Sequence, residues 1–309
     1  MADLAVSILV VSFNTRDLTL ACLRSVYEQT AAGTFELIVV DNASSDGSAD
    51  AIATEFPGVR LIRSPENLGF AQGNNVAAEQ AVGEYLLLLN PDTVVLDRAI
   101  DRLLAFGRGQ PAAGVWGGRT VYADGSLNPA SCWGRQTLWS TFCMASGLSS
   151  IFRESGWFNT EGYGGWDRST VRTVDIVSGC FFLIRRESWQ RLGGFHRRYF
   201  MYGEEADLCL RARGSGFRPV VTPDAVIVHY GGASERVRAD KMVRLLKAKC
   251  QLIKDHWPAS TRWLGLVFLG AWPLTRWLAW SCLRPFAGQR AVEAAGCWHQ
   301  VWSSRVQWL

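Results

Sequence analysis

Lysine is scarce in this chain of 309 residues: there are four, and none precedes Lys241. Charged residues as a class reach 19% against 48% apolar, so the chain can bury a substantial core and is not an intrinsically disordered polymer. Its eight cysteines include no C-x-x-C pair, which counts against a disulfide scaffold and a structural zinc site. No basic segment followed by an apolar core opens the sequence, so a chain without a secretory signal, in a reducing cytoplasm, is expected. The turn Asn14-Thr15-Arg16-Asp17 after the first strand-like run holds no glycine, and Gly-Lys-Ser/Thr occurs nowhere. A G-x-G-x-x-G dinucleotide fold and a P-loop are thereby excluded. The sequence also has no internal repeat and no low-complexity linker.

What charge there is divides unevenly. Residues 1–235 hold 20 Lys+Arg against 25 Asp+Glu, whereas 236–309 hold 12 against 3, together with eight of the fourteen tryptophans. A mildly acidic body with a basic, Trp-rich tail points to an anionic partner surface, lipid headgroups or nucleic acid. Length and composition together predict a large domain over 1–235 and a helical appendage over 236–309.

The first ninety residues alternate between two periodicities. A short continuous apolar run at 7–13 reads as a strand buried on both faces, and 35–40, 59–63 and 85–89 read as three further strands of the same buried sheet. Between them, 17–27, 48–56 and 70–82 place small and apolar residues at helical spacing. This β-α-β-α-β-α-β order predicts a parallel sheet with right-handed crossovers. Residues 110–170 are rich in Gly and aromatics with weak periodicity and read as loops and edge strands. A strand over 174–185 broken at Ser178-Gly179, a helix over 206–214 and a strand over 220–230 follow. A long basic helix over 237–256 and an apolar stretch over 263–283 complete the chain.

In an open α/β sheet, ligands bind beyond the carboxyl ends of the strands. Polar clusters stand there: Ser12-Phe13-Asn14, Asp41-Asn42-Ala43-Ser44-Ser45-Asp46-Gly47, and Asn90-Pro91-Asp92-Thr93, with Glu66 to Asn75 leading into the third helix. Any one of them alone reads as a turn with an Asx cap; their shared position favours a site. In order and spacing, SILVVSFN (7–14), VDNASSDGS (40–48), ENLGFAQGNN (66–75), LLLNPDT (87–93), SGCFFLIRR (178–186), GGF (193–195), FMYGEEADLCLR (200–211) and HYGGAS (229–234) resemble the inverting glycosyltransferases of family 2. The resemblance is nearest the bacterial rhamnosyltransferase branch that builds O-antigen, capsule and cell-wall linkers. It implies an α/β GT-A fold, a nucleotide-sugar half over about 1–110 and an acceptor half over about 111–235.

The resemblance also implies roles. Asp41 matches the carboxylate that accepts from the N3–H of uracil or thymine. Ser12, Asn14, Asn67 and Asn74 would line the donor side with hydroxyls and amides. A divalent ion, Mg²⁺ or Mn²⁺, is expected to neutralise the leaving diphosphate. The D-x-D-like motif reads Asn90-Pro91-Asp92 here, leaving Asp92 as its carboxylate, with His229 as the distal ligand; two such donors make a weak all-protein site, so the ion should arrive with the nucleotide. Glu205 takes the place of the catalytic aspartate and is expected to be the general base, with Glu204 as the runner-up. Gly179 matches the acceptor-site glycine. Asp207 is either part of that site or a helix cap, and Arg211 either orients the cluster or pairs with Asp207 one turn away. Cys180 reads as a packed small residue.

The tail extends this reading. Residues 263–283 are long enough to cross a bilayer, but they contain Pro273 and Arg276, and tryptophan is spread from Trp257 to Trp280. This pattern favours helices lying in the membrane interface over a span, with a soluble helical cap as the plain alternative. The expectation is a peripheral or monotopic enzyme at the cytoplasmic face of a bacterial inner membrane. Its partners would be a dTDP- or UDP-linked sugar donor, with dTDP-L-rhamnose favoured, and a polyprenyl-diphosphate-linked saccharide acceptor. Nucleic acid is not expected, because no stacking or groove-reading motif accompanies the charge. Three rivals stand: a transferase using UDP-galactofuranose, UDP-GlcNAc or UDP-glucose; a sugar nucleotidyltransferase, which the glycine-free first loop disfavours; and a non-catalytic membrane adaptor on a degenerate transferase fold.

Overall fold

A computed structural model describes residues 4–31, 35–231 and 238–309. The last three residues of HYGGAS, the 235/236 boundary and Val237 at the expected start of the basic helix lie outside the described residues. The chain runs β1 (Val6–Ser12), α1 (Arg16–Gln29), β2 (Phe35–Asp41), α2 (Ser48–Glu55), β3 (Arg60–Arg63), α3 (Gly69–Glu79), β4 (Tyr85–Leu89), β5 (Thr93–Val95) and α4 (Ala99–Gly109). It continues through β6 (Val115–Val121), β7 (Cys132–Trp133), α5 (Leu138–Ser146), α6 (Leu148–Ile151), β8 (Arg172–Thr173), β9 (Ile176–Val177) and β10 (Phe181–Arg185). The last elements are α7 (Arg186–Leu192), α8 (Glu204–Gly214), β11 (Val220–His229), α9 (Arg238–His256) and α10 (Ala259–Ser303). Two compact units result, residues 1–133 with 167–234 and residues 134–166 with 235–309.

The first unit is built on a mixed sheet with strand order β3-β2-β1-β4-β10-β6-β11-β5. Every residue of β1 and β4 is buried, as expected of strands with helices covering both faces, and β1 pairs in parallel with both β2 and β4. The run of polar strand ends is thereby placed on one edge. β10 enters between β4 and β6 and is antiparallel to both. A continuous apolar run is compatible with either direction, so hydrophobicity alone does not fix this reversal. One apolar cluster extends from Ile8, Val10 and Leu87 in the sheet to Leu23 of α1 and Leu103 of α4.

Two elements, β6 and α5, differ from the sequence reading, and a third, α4, falls where that reading assigned none. β6 is a central strand, not an edge, and α4 buries Ile100, Leu103, Leu104 and Gly107 at helical spacing. Residues 138–146 form α5 rather than a loop, opened by a capping box in which Thr137 and Ser140 exchange side-chain and backbone hydrogen bonds. That box is a helix-start device written in hydroxyls instead of the more usual Ser/Thr with Glu.

In the second unit α5 is held against α10. Thr275 Oγ1 donates to the Ala145 carbonyl at 2.6 Å. Arg276 reaches the Met144 carbonyl at 3.3 Å and Ser150 Oγ at 2.9 Å, so the charge that interrupts the apolar stretch satisfies the carbonyl end of α5. Lys249 of α9 pairs with Glu161 at 2.6 Å, and Glu161 also accepts from Ser140 Oγ. α10 is two helices broken at Gly288, whose φ 57° and ψ −145° are values only glycine adopts easily, with Pro273 and Pro285 before it. The second piece folds back on the first, bringing Trp298 to 5.5 Å from Trp272 and His299 to 4.7 Å from Trp277. Among the described residues no helix is long and apolar enough to cross a membrane.

Candidate active site

The first carboxylate is held at the end of β2. Asn14, in the left-handed region at φ 51°, accepts from the Ser45 N–H at 2.8 Å and donates its own N–H to Ser44 Oγ at 3.0 Å. Buried Ser12 bonds the hydroxyls of Thr15 and Thr19 at 3.3 and 2.9 Å. These bonds lace the β1 and β2 loops together around Asp41. Oδ2 of Asp41 accepts from the Ser44 N–H at 3.1 Å, whereas Oδ1 is buried with no hydrogen-bond partner. A buried carboxylate oxygen left unpaired is costly unless a ligand donates to it.

The next layer is built of amides. Asn42 donates to Asn67 Oδ1 at 2.9 Å and accepts from the Leu68 N–H at 2.8 Å; Asn67 Oδ1 also takes the Gly69 N–H at 2.9 Å. Asn74 donates to the Phe70 carbonyl at 2.9 Å. Asn67 and Asn74, expected from the sequence to face the donor, therefore shape the turn into α3. Asn42, which sequence reasoning missed, locks that turn from β2. Gly69 has φ 75°, and a Cβ there would stand 2.3 Å from the Phe200 carbonyl oxygen. The close approach lets that carbonyl accept from the Phe70 N–H at 2.8 Å, fastening the loop before α3 to the loop before α8. Asn75 clamps the GGF turn in the same way, donating to the Phe195 carbonyl and accepting its N–H at 2.9 and 3.0 Å.

Gly179 lies where these loops meet. A Cβ there would be 3.1 Å from the Phe70 ring and 3.9 Å from Glu205 Cβ. Buried Cys180 accepts from the Asn90 N–H through its carbonyl at 3.2 Å, and the Asp92 carbonyl accepts from the Tyr230 N–H at 3.0 Å. The Asp92 carboxylate stands 3.5 Å from His229 Nε2, as does Asn90 Nδ2. Asn128 holds the His229 carbonyl at 2.9 Å. Burial lowers the affinity of the imidazole for a proton, but Cys180 and Asp92 beside it outweigh this and push His229 up to about 10.

Glu204 and Glu205 begin α8 behind Gly203, which takes φ 87° as the cap. Both carboxyls are buried, at 3% and 8% exposure, and each leaves Oε2 without a hydrogen-bond partner. Burial pushes Glu205 up to about 7. Burial and then the neighbouring Glu205 carboxylate push Glu204 well above the usual carboxylate range. Both carboxyls are thus biased toward the protonated form, and Glu205, raised into the neutral range, is poised to exchange a proton. Asp207 falls inside the first turn and is not the cap. It pairs with Arg211 at 2.7 Å, and Arg211 continues to the Leu192 and Gly194 carbonyls. The alternative in which Arg211 pairs with Asp207 is the one the geometry takes, and the pair braces the GGF turn.

Residues 7–193 match the family model described as Glycosyl transferase family 2. The chain belongs to glycosyl transferase family 2. Over 250 residues this family 2 protein is 28% identical to the N-acetylglucosaminyl-diphospho-decaprenol L-rhamnosyltransferase of Mycobacterium tuberculosis, covering 74% of this chain and 78% of that one. It is 27% identical over 222 residues to rhamnosyltransferase WbbL of Escherichia coli K12, covering 68% and 78%. The mannosyltransferase PcManGT from Pyrobaculum calidifontis, solved with GDP-Man and Mn2+, superposes with a TM-score of 0.59 at 18% identity, over 99% of this chain and 87% of that one. At that identity the likeness establishes the GT-A fold alone.

The Asn90–Asp92 turn and His229 of this glycosyltransferase fit a divalent ion. Their donor set is hard oxygen and imidazole, and Asn90 Oδ1 and His229 Nδ1 are buried without hydrogen-bond partners. Among the described residues no cluster of three or more His, Cys, Asp or Glu could hold a metal. Such an ion would need further oxygens from outside the protein.

Proposed function

We propose that this family 2 glycosyltransferase is metal-dependent and inverting, and that it transfers L-rhamnose from dTDP-rhamnose to a saccharide on a polyprenyl diphosphate. The observation that carries the reading is Glu205: a buried carboxyl near neutrality with a free oxygen, packed beside Gly179, whose neighbour Cys180 is bonded to the Asn90–Asp92 turn. The names of the mycobacterial and Escherichia coli relatives support rhamnose as the sugar, and the mycobacterial name supports a lipid diphosphate as the acceptor anchor.

Asp41 Oδ1 accepts the N3–H of the donor's pyrimidine, and the β1 and β2 loops laced through Asn14 and Ser12 hold it there. Asn67 and Asn74 act through the turn they shape, beside the donor's ribose. Asp92 and His229 would hold Mg²⁺ or Mn²⁺, which would neutralise charge on the departing diphosphate. His229 must give up its proton to serve as a ligand. Glu205 Oε2 takes the proton from the acceptor hydroxyl as that oxygen bonds to the anomeric carbon. The bond from that carbon to the diphosphate breaks on the opposite face, and the nucleoside diphosphate leaves with the electron pair. One displacement inverts the centre, so one carboxylate suffices. Glu204, raised well above the usual carboxylate range, is the weaker candidate for the base. Gly179 leaves room for the acceptor sugar, and Asp207 with Arg211 keeps the α8 entrance in place.

In this reading residues 1–235 are catalytic, with the donor half in about 1–110 and the acceptor half in 111–235, apart from residues 134–166, which fold with the tail and take no part in the chemistry. Residues 236–309 hold the enzyme at the cytoplasmic face of the membrane, where a lipid-linked acceptor meets a cytosolic donor. The test is a screen of dTDP- and UDP-sugars for nucleotide release and transfer, with Mg²⁺, Mn²⁺ and EDTA. Turnover with dTDP-rhamnose that EDTA abolishes supports the reading. Selective turnover of a UDP-sugar overturns the donor, and full activity in EDTA overturns the metal.

A further inference from the structure

The second unit carries an aromatic face that its own core does not use. Trp139 and Phe142 of α5 stack at 5.6 Å, and Phe142 meets Phe268 of α10 edge-on at 5.5 Å. Phe158 joins them, 6.1 Å from Trp139 and 5.0 Å from Phe152. The turn is pinned where Trp139 Nε1–H donates to the Trp157 carbonyl at 2.7 Å. The pin holds the Trp157 ring outward at 80% exposure, and Ile151 stands at 73%. The buried cluster of the unit, around Leu246, Ile253, Leu269 and Val301, includes none of these six aromatic rings. A linked apolar patch of this kind on an ordered surface marks an interaction site.

Charge selects the partner. Residues 134–166 and 235–309 together hold 14 Lys+Arg against 6 Asp+Glu, so the unit that carries the face is positive as a whole, although exposed Arg153 on the face is balanced by exposed Glu154. A second copy placed on this face would bring like charge against like. An anionic lipid surface complements it, and tryptophan favours the boundary between headgroups and acyl chains. We propose that the face made by α5, the turn over 151–158 and the start of α10 docks on an anionic bilayer, with Trp157 and Ile151 inserting. This rests on the membrane location given above and assigns the inserting side chains to a segment well before the basic tail.

The test uses full-length protein with vesicles of phosphatidylcholine alone or with 30 mol% phosphatidylglycerol. Co-sedimentation is measured for the wild type, Trp157→Ser and Ile151→Ser. Both side chains are exposed, so the variants should keep the wild-type circular dichroism spectrum. The expected result is binding that needs the anionic lipid and weakens with salt. Each substitution should reduce it at least tenfold, and turnover of a short-chain, water-soluble acceptor should not change. Unchanged vesicle binding in both variants, or no binding by the wild type, overturns the proposal. So does a wild-type dimer that the variants dissociate while vesicle binding persists, because the face would then join two copies. The soluble-acceptor assay separates this outcome from failure of the transferase reading, which would abolish turnover in every protein while leaving the vesicle results standing.

Discussion

Replacing Glu205 with glutamine should make the enzyme inactive and, above neutrality, more stable. The carboxyl is raised from 4.5 to about 7 by burial, so the native state holds this proton more tightly than the unfolded chain does. A group of this sign contributes its full stability below about pH 4.5, and that contribution is lost as the pH rises through about 7. At 1.36 kcal/mol for each tenfold change, the ionised side chain costs the native state about 3 kcal/mol at pH 8. The Glu205→Gln substitution would keep the shape and remove that cost, while losing the proton acceptor, for a fall in kcat of roughly 10²–10⁴. Urea unfolding of both proteins at pH 5 and pH 8 reads the difference. Carboxylates elsewhere cancel, and Glu204 loses the neighbouring charge that raises it, which adds to the gain at high pH. The variant should therefore stay within about 1 kcal/mol of the wild type at pH 5 and exceed it clearly at pH 8. Equal stability at both pH values, or wild-type turnover in the variant, would refute the placement of a buried, titrating base at this position. The wild-type kcat/KM should correspondingly rise with pH through about 7.

Asp41→Ala should weaken dTDP binding by roughly ten- to a hundredfold, the worth of one charge-assisted hydrogen bond; fluorescence titration measures it, and wild-type affinity would remove Asp41 from the base site. Asp92→Ala should lose metal-stimulated turnover yet bind dTDP in EDTA like the wild type, and retained stimulation by Mn²⁺ would remove the proposed ion site. Gly69→Ala brings a Cβ to 2.3 Å from the Phe200 carbonyl at φ 75°, so thermal melting should report a loss of about 2 kcal/mol or more. Wild-type stability there would deny the fastening of α3 to the α8 loop.

β1, β2 and β4 and their polar ends were legible because each is a short, largely apolar run closed by Asp or Asn, a pattern that buried parallel strands favour; β3, Arg-Leu-Ile-Arg, is the half-exposed edge of the sheet and carries a weaker signal. Glu205 was legible only through the resemblance carried by FMYGEEADLCLR; the expected helix began at 206, and α8 starts two residues earlier, behind Gly203. Less could be read where tertiary partners decide. β10 runs antiparallel inside the sheet, and a strand buried on both faces looks alike in either direction. α5 mixes exposed Trp139 and Phe142 with buried Ser140 and Thr141, so no polar face marks it as a helix. α4 did carry its signal, in the spacing of Ile100, Leu103, Leu104 and Gly107. Asn67 and Asn74 have the chemistry to hold a ribose, but whether an amide meets a ligand or its own loop depends on backbone turns that composition does not reveal.

The account stands most directly on the stereochemistry of transfer. Nuclear magnetic resonance of the product formed from dTDP-L-rhamnose, Mg²⁺ and a soluble analogue of a lipid-linked N-acetylglucosamine acceptor gives the anomeric configuration of the new bond. A single displacement with Glu205 as base predicts inversion relative to the donor, and no product from the Glu205→Gln enzyme. Retention of configuration, or an equal yield from that variant, would contradict it.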